Sequence, residues 1–218
     1  MSDSKKKNSD LLTNIWTVPN ILTMIRIILV PIFAVLFLKG SYIPALVVLL
    51  LSGLTDFFDG KIARRFNQIS ALGKILDPIA DKFTQITIAV LLFFKFRTAS
   101  DASLKAFSWV FLLFLVKEAS MLIGGSIMLS KGIRPGASEL PGKIATFFFY
   151  GAMLVILGFG PEIGAFTKSN PDFAISSTVT MVLVVISAIL TFVALFSYFP
   201  GLFKQIKEYR ESQKTDLN

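Results

Sequence analysis

Four aspartates, Asp56, Asp59, Asp77 and Asp81, fall within one short stretch of a strongly apolar chain. Asp56 and Asp59 are spaced i, i+3, and Asp77 and Asp81 are spaced i, i+4, so each pair shares one face of a helix. The polar link Arg65–Leu72 is long enough to turn the chain between two antiparallel helices and set the pairs face to face. Carboxylates at such close quarters repel one another, and nearby lipid raises the cost. A cation must neutralise them. The ligand atoms are all oxygen, and the chain has neither His nor Cys, which selects a hard metal, Mg²⁺ or Mn²⁺, over Zn²⁺. Ions of this kind partner phosphates. Gly60 and Gly73 leave room for a ligand beside the backbone, and Arg64, about one turn beyond the first acidic pair, can grip a phosphate with two parallel N–H groups. A polar network between helices is the plainer explanation. It gives no reason for acids, glycines and an arginine to coincide.

The chain around this stretch has 218 residues, 54% hydrophobic and 17% charged, which is too apolar for an ordinary soluble domain. With no Cys there is no disulfide frame and no thiol chemistry. With no His, acid–base chemistry falls to Asp, Glu, Lys or Tyr. The formal charge of +8 is explained by topology. No basic face interleaved with aromatics is present, so no nucleic-acid partner is expected.

Residues 1–10 are polar and expected to be a disordered tail. Leu11, Leu12, Ile15 and Trp16 recur at helical spacing and predict a short interfacial helix with Trp16 at headgroup level. No cleavage site marks a signal peptide. Six apolar segments follow, at about 20–38, 42–64, 75–96, 106–130, 142–160 and 174–199, each near the roughly 20 residues a bilayer demands. Pro19, Lys39-Gly40, Pro44, the Gly132–Pro141 loop, Pro161, Pro171 and Pro200-Gly201 punctuate them. The expected fold is therefore all-α: an integral membrane six-helix bundle with a short N-terminal interfacial helix, the membrane domain running 11–200 and a charged tail 201–218.

Lys and Arg set the orientation. With the N-terminus inside, the inner segments carry Lys5, Lys6, Lys7, Lys61, Arg64, Arg65, Lys74, Lys131, Arg134, Lys143 and the basic residues of the tail. The outer segments carry only Lys39, Lys95, Arg97, Lys105 and Lys168. Both termini and the aspartates are thus expected on the cytoplasmic side.

Arg26, Lys82 and the Lys117-Glu118 pair also fall inside apolar segments, where a charge must face a partner or a wet cavity. Asn20, Thr23 and Arg26 follow at i, i+3, i+6 and form one stripe. Lys143 and Thr146, at a helix start, suit an anion. Snorkelling would also account for Arg26, snorkelling or pairing with a carboxylate for Lys82, and a mutual or neighbouring ion pair for Lys117-Glu118. The run Phe147-Phe148-Phe149-Tyr150 reads as lipid-facing or packing bulk.

The stretch Asp56–Asp81 has the spacing D-x2-D-G-x2-A-R-x8-G-x3-D-x3-D. In this it resembles, without departure, the signature of the CDP-alcohol phosphotransferases. The flanking hydropathy resembles that family's six-helix membrane domain. Within the family, Val18-Pro19-Asn20-Ile21-Leu22-Thr23 with Arg26, Leu76–Lys82, and Gly142-Lys143 with Thr146 are similar to the phosphatidylglycerophosphate synthases and the related cardiolipin synthases. One place departs: Lys117-Glu118 stands where those synthases usually carry Arg-Glu, and Met121–Met128 contains no Arg. The resemblance implies transfer of a phosphatidyl group from CDP-diacylglycerol to an alcohol with release of CMP. The implied acceptor is glycerol 3-phosphate, with phosphatidylglycerol, the cardiolipin-synthase acceptor, as alternative. It further implies two divalent ions, Mg²⁺ or Mn²⁺, on Asp56, Asp59 and Asp77. Asp81 is then the general base and touches a metal, and Gly60, Ala63, Arg64 and Gly73 serve the nucleotide. Arg26, Lys117 and Lys143 serve the acceptor. Membrane lipid and a second copy of the chain are the expected partners, in a bacterial cytoplasmic membrane. A transporter would place its acids at broken helices near the midplane, not beside a turn.

Overall fold

The computed structural model describes residues 17–66, 70, 72–130 and 140–215, and all regular structure among them is helical. The tail 1–10, the helix expected over Leu11–Trp16 and the loop holding Gly132, Pro135 and Gly136 lie outside the described residues.

Helix α1, Val18–Leu38, starts where Thr17 Oγ1 accepts the Asn20 N–H at 3.3 Å, with Pro19 in the first turn, where a missing N–H is harmless. It ends at Lys39 and Gly40. Gly40 has φ 73°, a left-handed conformation that favours glycine and folds the chain straight into the next helix. That helix is α2, Tyr42–Arg65. Then come α3, Gly73–Arg97, the short α4, Ala102–Phe107, and α5, Val110–Ser130. The order closes with α6, Leu140–Phe159, and, after a 3₁₀ turn at Pro171–Phe173, α7, Ser177–Thr215.

Among the described residues, five segments are long and apolar enough to cross a membrane: α1, Tyr42–Asp59 of α2, Ala102–Gly124, α6 and Pro171–Tyr198. The chain is thus an all-helical protein of the multi-pass membrane type. Helix α3 is not among the five, because Asp77, Asp81, Lys82, Lys95 and Arg97 interrupt its apolar character. The outward surface is apolar, as lipid requires: Leu38, Ile28, Ile123 and Phe94 are all at least 60% exposed.

Two expectations about segment ends are corrected. The fourth segment, expected as one stretch 106–130, is broken at Ser108 and Trp109. There the Ser108 hydroxyl donates to the Lys105 carbonyl at 2.8 Å and the Phe111 N–H bonds the Ser108 carbonyl, a tight turn that restarts the helix as α5. The last helix does not stop at Pro200-Gly201. It runs unbroken to Thr215 with Pro200 inside it. An internal proline removes one donor and bends a helix without compelling an end, and the Leu, Lys, Gln and Glu residues beyond it are good helix formers.

Helix contacts close a ring in the order α1, α2, α6, α7, α5, α3 and back to α1. One part of the interior is apolar, built from Phe33, Phe37, Leu92, Phe96, Phe111 and Met153. The Phe96 and Phe111 rings meet edge to face at 5.3 Å, a favoured aromatic geometry. The buried polar residues Asn20, Thr23, Arg26, Asp59, Thr84, Gln85 and Glu118 gather around the aspartates. Burying that many polar groups is costly unless each has a partner. The partners define the site.

Candidate active site

The stripe predicted on α1 is buried: Asn20, Thr23 and Arg26 are each 2% exposed or less. Arg26 does not snorkel. Its fork pairs with both carboxylates of α2, Nη1 with Asp56 Oδ1 and Nη2 with Asp59 Oδ2. One turn earlier, the Thr23 hydroxyl donates to Asp77 Oδ1 of α3 at 2.6 Å. Asp81 faces the other way. It accepts from the Tyr150 hydroxyl of α6 at 3.1 Å and from the Gln85 side chain at 3.2 Å. A single helix of ordinary apolar look, α1, therefore joins the two acidic pairs.

Two cavities meet here. The first, about 370 Å³, is lined by Asp56, Asp77, Asp81, Lys82, Lys117 and Glu118 among others. The second, about 570 Å³, is lined by the polar residues Arg26, Asp56, Asp81, Lys143 and Tyr150 and by the apolar Leu50, Leu54, Phe57, Phe147 and Leu154. Asp56, Asp81 and Thr146 border both. Asp59 lies deeper, buried against Arg26.

Lys82 and Lys117 share one acid. Lys82 Nζ bonds Glu118 Oε2 at 2.6 Å, and Lys117 pairs with Oε1. The ion pair, the plainer alternative for Lys117-Glu118, is present, and Lys82 joins it from α3, the carboxylate pairing open to it in the sequence. Two ammonium groups on one carboxylate leave a net positive charge in the lining of the first cavity, which Asp56, Asp77 and Asp81 also line. The three cations expected at the acceptor, Arg26, Lys117 and Lys143, do not share one cavity: Lys117 lines the first, Arg26 and Lys143 the second.

Gly73 opens α3 under α1. A Cβ there would stand 2.6 Å from Asn20 Oδ1 and 3.0 Å from Ser70 Oγ. Ser70 Oγ donates to Asn20 Oδ1 and accepts the Gly73 N–H, both at 2.8 Å. The space left open by this glycine is filled by the chain itself. Gly60, Ala63 and Arg64 follow Asp59 on the last turns of α2, and the placement of their side chains lies outside the described residues.

Among the described residues no three acidic side chains converge tightly enough to hold one ion. Asp56 and Asp59 share Arg26, Asp77 meets Thr23, and Asp81 meets Tyr150 and Gln85. The donors nevertheless fit a hard divalent cation. They are carboxylate oxygens throughout, and a cation of the chain's own is already lodged between two of them.

Tyr150, Gln85 and Ser70 were not legible as site residues. In the run Phe147–Tyr150 the tyrosine reads as bulk; only its being the one hydroxyl there, a turn beyond Thr146, singles it out. In the structure Phe147 is 83% exposed, Phe149 is core, and Tyr150 reaches Asp81.

Residues 16–193 match the family model described as CDP-alcohol phosphatidyltransferase. The chain belongs to this family and is an enzyme, a transferase of phospholipid biosynthesis. Among its relatives is a CDP-diacylglycerol–glycerol-3-phosphate 3-phosphatidyltransferase of Aquifex aeolicus, 32% identical over 87% of this chain and 97% of that one. A cardiolipin synthase (CMP-forming) of Streptomyces coelicolor is 38% identical over 66% of each chain. The human cardiolipin synthase (CMP-forming) is 50% identical over 37% of this chain and 26% of its own. No solved structure matches the chain.

Proposed function

We propose that this enzyme transfers the phosphatidyl group of CDP-diacylglycerol to glycerol 3-phosphate, giving phosphatidylglycerol phosphate and CMP. The observation that carries it is the placement of the signature aspartates. Asp56 and Asp81 stand where a cavity that carries Lys82 and Lys117 meets a cavity with a more apolar lining. A lipid-linked diphosphate needs both surroundings. The near full-length similarity to the Aquifex transferase supports the same choice of acceptor.

Asp56, Asp59 and Asp77 would hold Mg²⁺ or Mn²⁺. When bound, these ions neutralise the diphosphate and the charge gathering on departing CMP. Arg64 grips the diphosphate, and Gly60 and Ala63 keep the nucleotide's approach open, while Gly73 lets α1 close over the start of α3. The acyl chains lie along Leu50, Leu54, Phe57 and Leu154, toward lipid. The acceptor's hydroxyl oxygen bonds to the phosphorus that carries diacylglycerol, and the bond from that phosphorus to the CMP oxygen breaks. Asp81 takes the hydroxyl proton. Tyr150 and Gln85 hold its carboxylate in place, a positioning task. The acceptor's own phosphate meets Lys117, with Lys82 beside it, or Lys143 with Thr146 across the shared border. The same reading puts six membrane-crossing helices around the site, both termini and the site on the cytoplasmic face, and two chains in the working enzyme.

The second reading rests on the Streptomyces and human relatives: the acceptor would be phosphatidylglycerol and the product cardiolipin. One acceptor panel separates them. Purified enzyme with labelled CDP-diacylglycerol is expected to release CMP when given glycerol 3-phosphate, and to stop when EDTA is added. Consumption of phosphatidylglycerol with indifference to glycerol 3-phosphate would replace the first reading by the second. Undiminished turnover in metal-free buffer would remove the carboxylates' metal role.

A further inference from the structure

Arg26 heads the fully buried side chains by size, at 2% exposure. A guanidinium does not shed its proton inside a protein, so burial obliges it to find negative partners. It finds two, Asp56 and Asp59. These are the carboxylates that the proposed function assigns to divalent ions, and the present inference rests on that assignment. A guanidinium fork and a metal ion seek the same oxygen lone pairs and cannot both lie between the two acids.

Two further features bear on which of them stays. The Arg26 Nε and Nη1 are buried with no hydrogen-bond partner among the described residues: Nη1 meets Asp56 as an ion pair only, and Nη2 alone is hydrogen-bonded, to Asp59, so the clamp does not use the whole guanidinium. Arg26 also lines the second cavity, as do its partner Asp56 and the residues Lys143 and Thr146. The side chain thus has open space next to it, on the side where a phosphate would enter.

We propose that Arg26 is an exchangeable internal counter-ion. In metal-free protein it clamps Asp56 and Asp59 and keeps the acidic pair neutralised and folded. A divalent ion arriving at these oxygens displaces at least one arm of the fork. The released guanidinium turns into the cavity that Lys143 borders, where it is free to meet an anionic substrate group. The displacement costs the metal part of its affinity and leaves no unpaired carboxylate at any stage.

The test is direct Mn²⁺ binding to purified, substrate-free protein, read from the free-ion signal by electron paramagnetic resonance, with no turnover needed. Wild type, Arg26→Gln and Arg26→Lys are compared, with Asp77→Asn as the metal-site control. Removing the competitor in Arg26→Gln is expected to tighten Mn²⁺ binding by about tenfold or more, the worth of one charge-assisted hydrogen bond. Arg26→Lys pairs with only one carboxylate and is expected to fall between. It carries the test if Arg26→Gln does not fold. Mn²⁺ affinity unchanged or weaker in both variants would overturn the exchange and make Arg26 a support for the ligands. A wild type that binds no Mn²⁺, like Asp77→Asn, would instead remove the metal reading and the exchange with it.

Discussion

Asp81 keeps different company from the other aspartates. Asp56 and Asp59 share a guanidinium, and Asp77 accepts from a threonine on α1. Asp81 accepts from two neutral groups, Tyr150 and Gln85, and forms no ion pair among the described residues. A carboxylate restrained in direction yet not tied to a cation is suited to receive a proton. Asp81→Asn is therefore expected to retain Mn²⁺ and CDP-diacylglycerol binding and lose turnover by about 10²-fold or more. Asp59→Asn should instead weaken metal binding, partly restored by excess Mg²⁺. Tyr150→Phe leaves the base but frees its rotation, so kcat should fall by about tenfold with the KM for CDP-diacylglycerol unchanged. A fall in CDP-diacylglycerol affinity with steady kcat would make Tyr150 a substrate contact. The aspartates stood out in the sequence because charges in an apolar chain demand explanation. Tyr150 did not, because an aromatic in an apolar chain demands none.

At the scale of elements, α1 fits closely over the start of α3. Asn20 and Ser70 occupy the place where a side chain at position 73 would go. Gly73→Ala is expected to destabilise the protein by about 1–3 kcal/mol, the usual cost of overpacking, and adding Asn20→Ala should recover part of it. Thermal unfolding in detergent measures both, and additive losses in the double variant would show that the two residues do not compete. Helix positions were mostly readable from the sequence: the start of α1, the Lys39-Gly40 turn and the limits of α6 fall within a few residues of the expected ends. Apolar length and Pro/Gly punctuation carry that information. The break at Ser108 and the passage through Pro200 carry no comparable signal, since each depends on how a local backbone group finds a partner.

At the scale of the whole molecule, ring closure decides the chemistry. Sequence spacing predicts the two acidic pairs face to face across a turn, but nothing in it says that α1 packs between α2 and α3 and joins them, or that Tyr150 of α6 reaches Asp81 of α3. Long-range neighbours leave no local pattern. The charge bias does bear on orientation, and labelling tests it. Phe66 and Ser169 are both exposed, at opposite ends of the chain's helices. In a chain without native cysteine, Phe66→Cys should react with a membrane-impermeant thiol reagent only from the cytoplasmic side and Ser169→Cys only from outside. Labelling of both from one side would contradict the bundle's threading.

The short link between α1 and α2 has a consequence for how the chain enters the bilayer. As α1 emerges during synthesis it carries Arg26 into lipid with no acid on its own helix to meet it, a cost of about 2.5–3.5 kcal/mol for such a charge at the centre of a membrane. Its acidic partner Asp59 is 33 residues away and arrives only with the next helix. Lys39, Gly40 and Ser41 turn the chain at once, so α2 is delivered alongside α1. The two helices then partition as one hairpin, already charge-matched, before any later helix exists to enclose them.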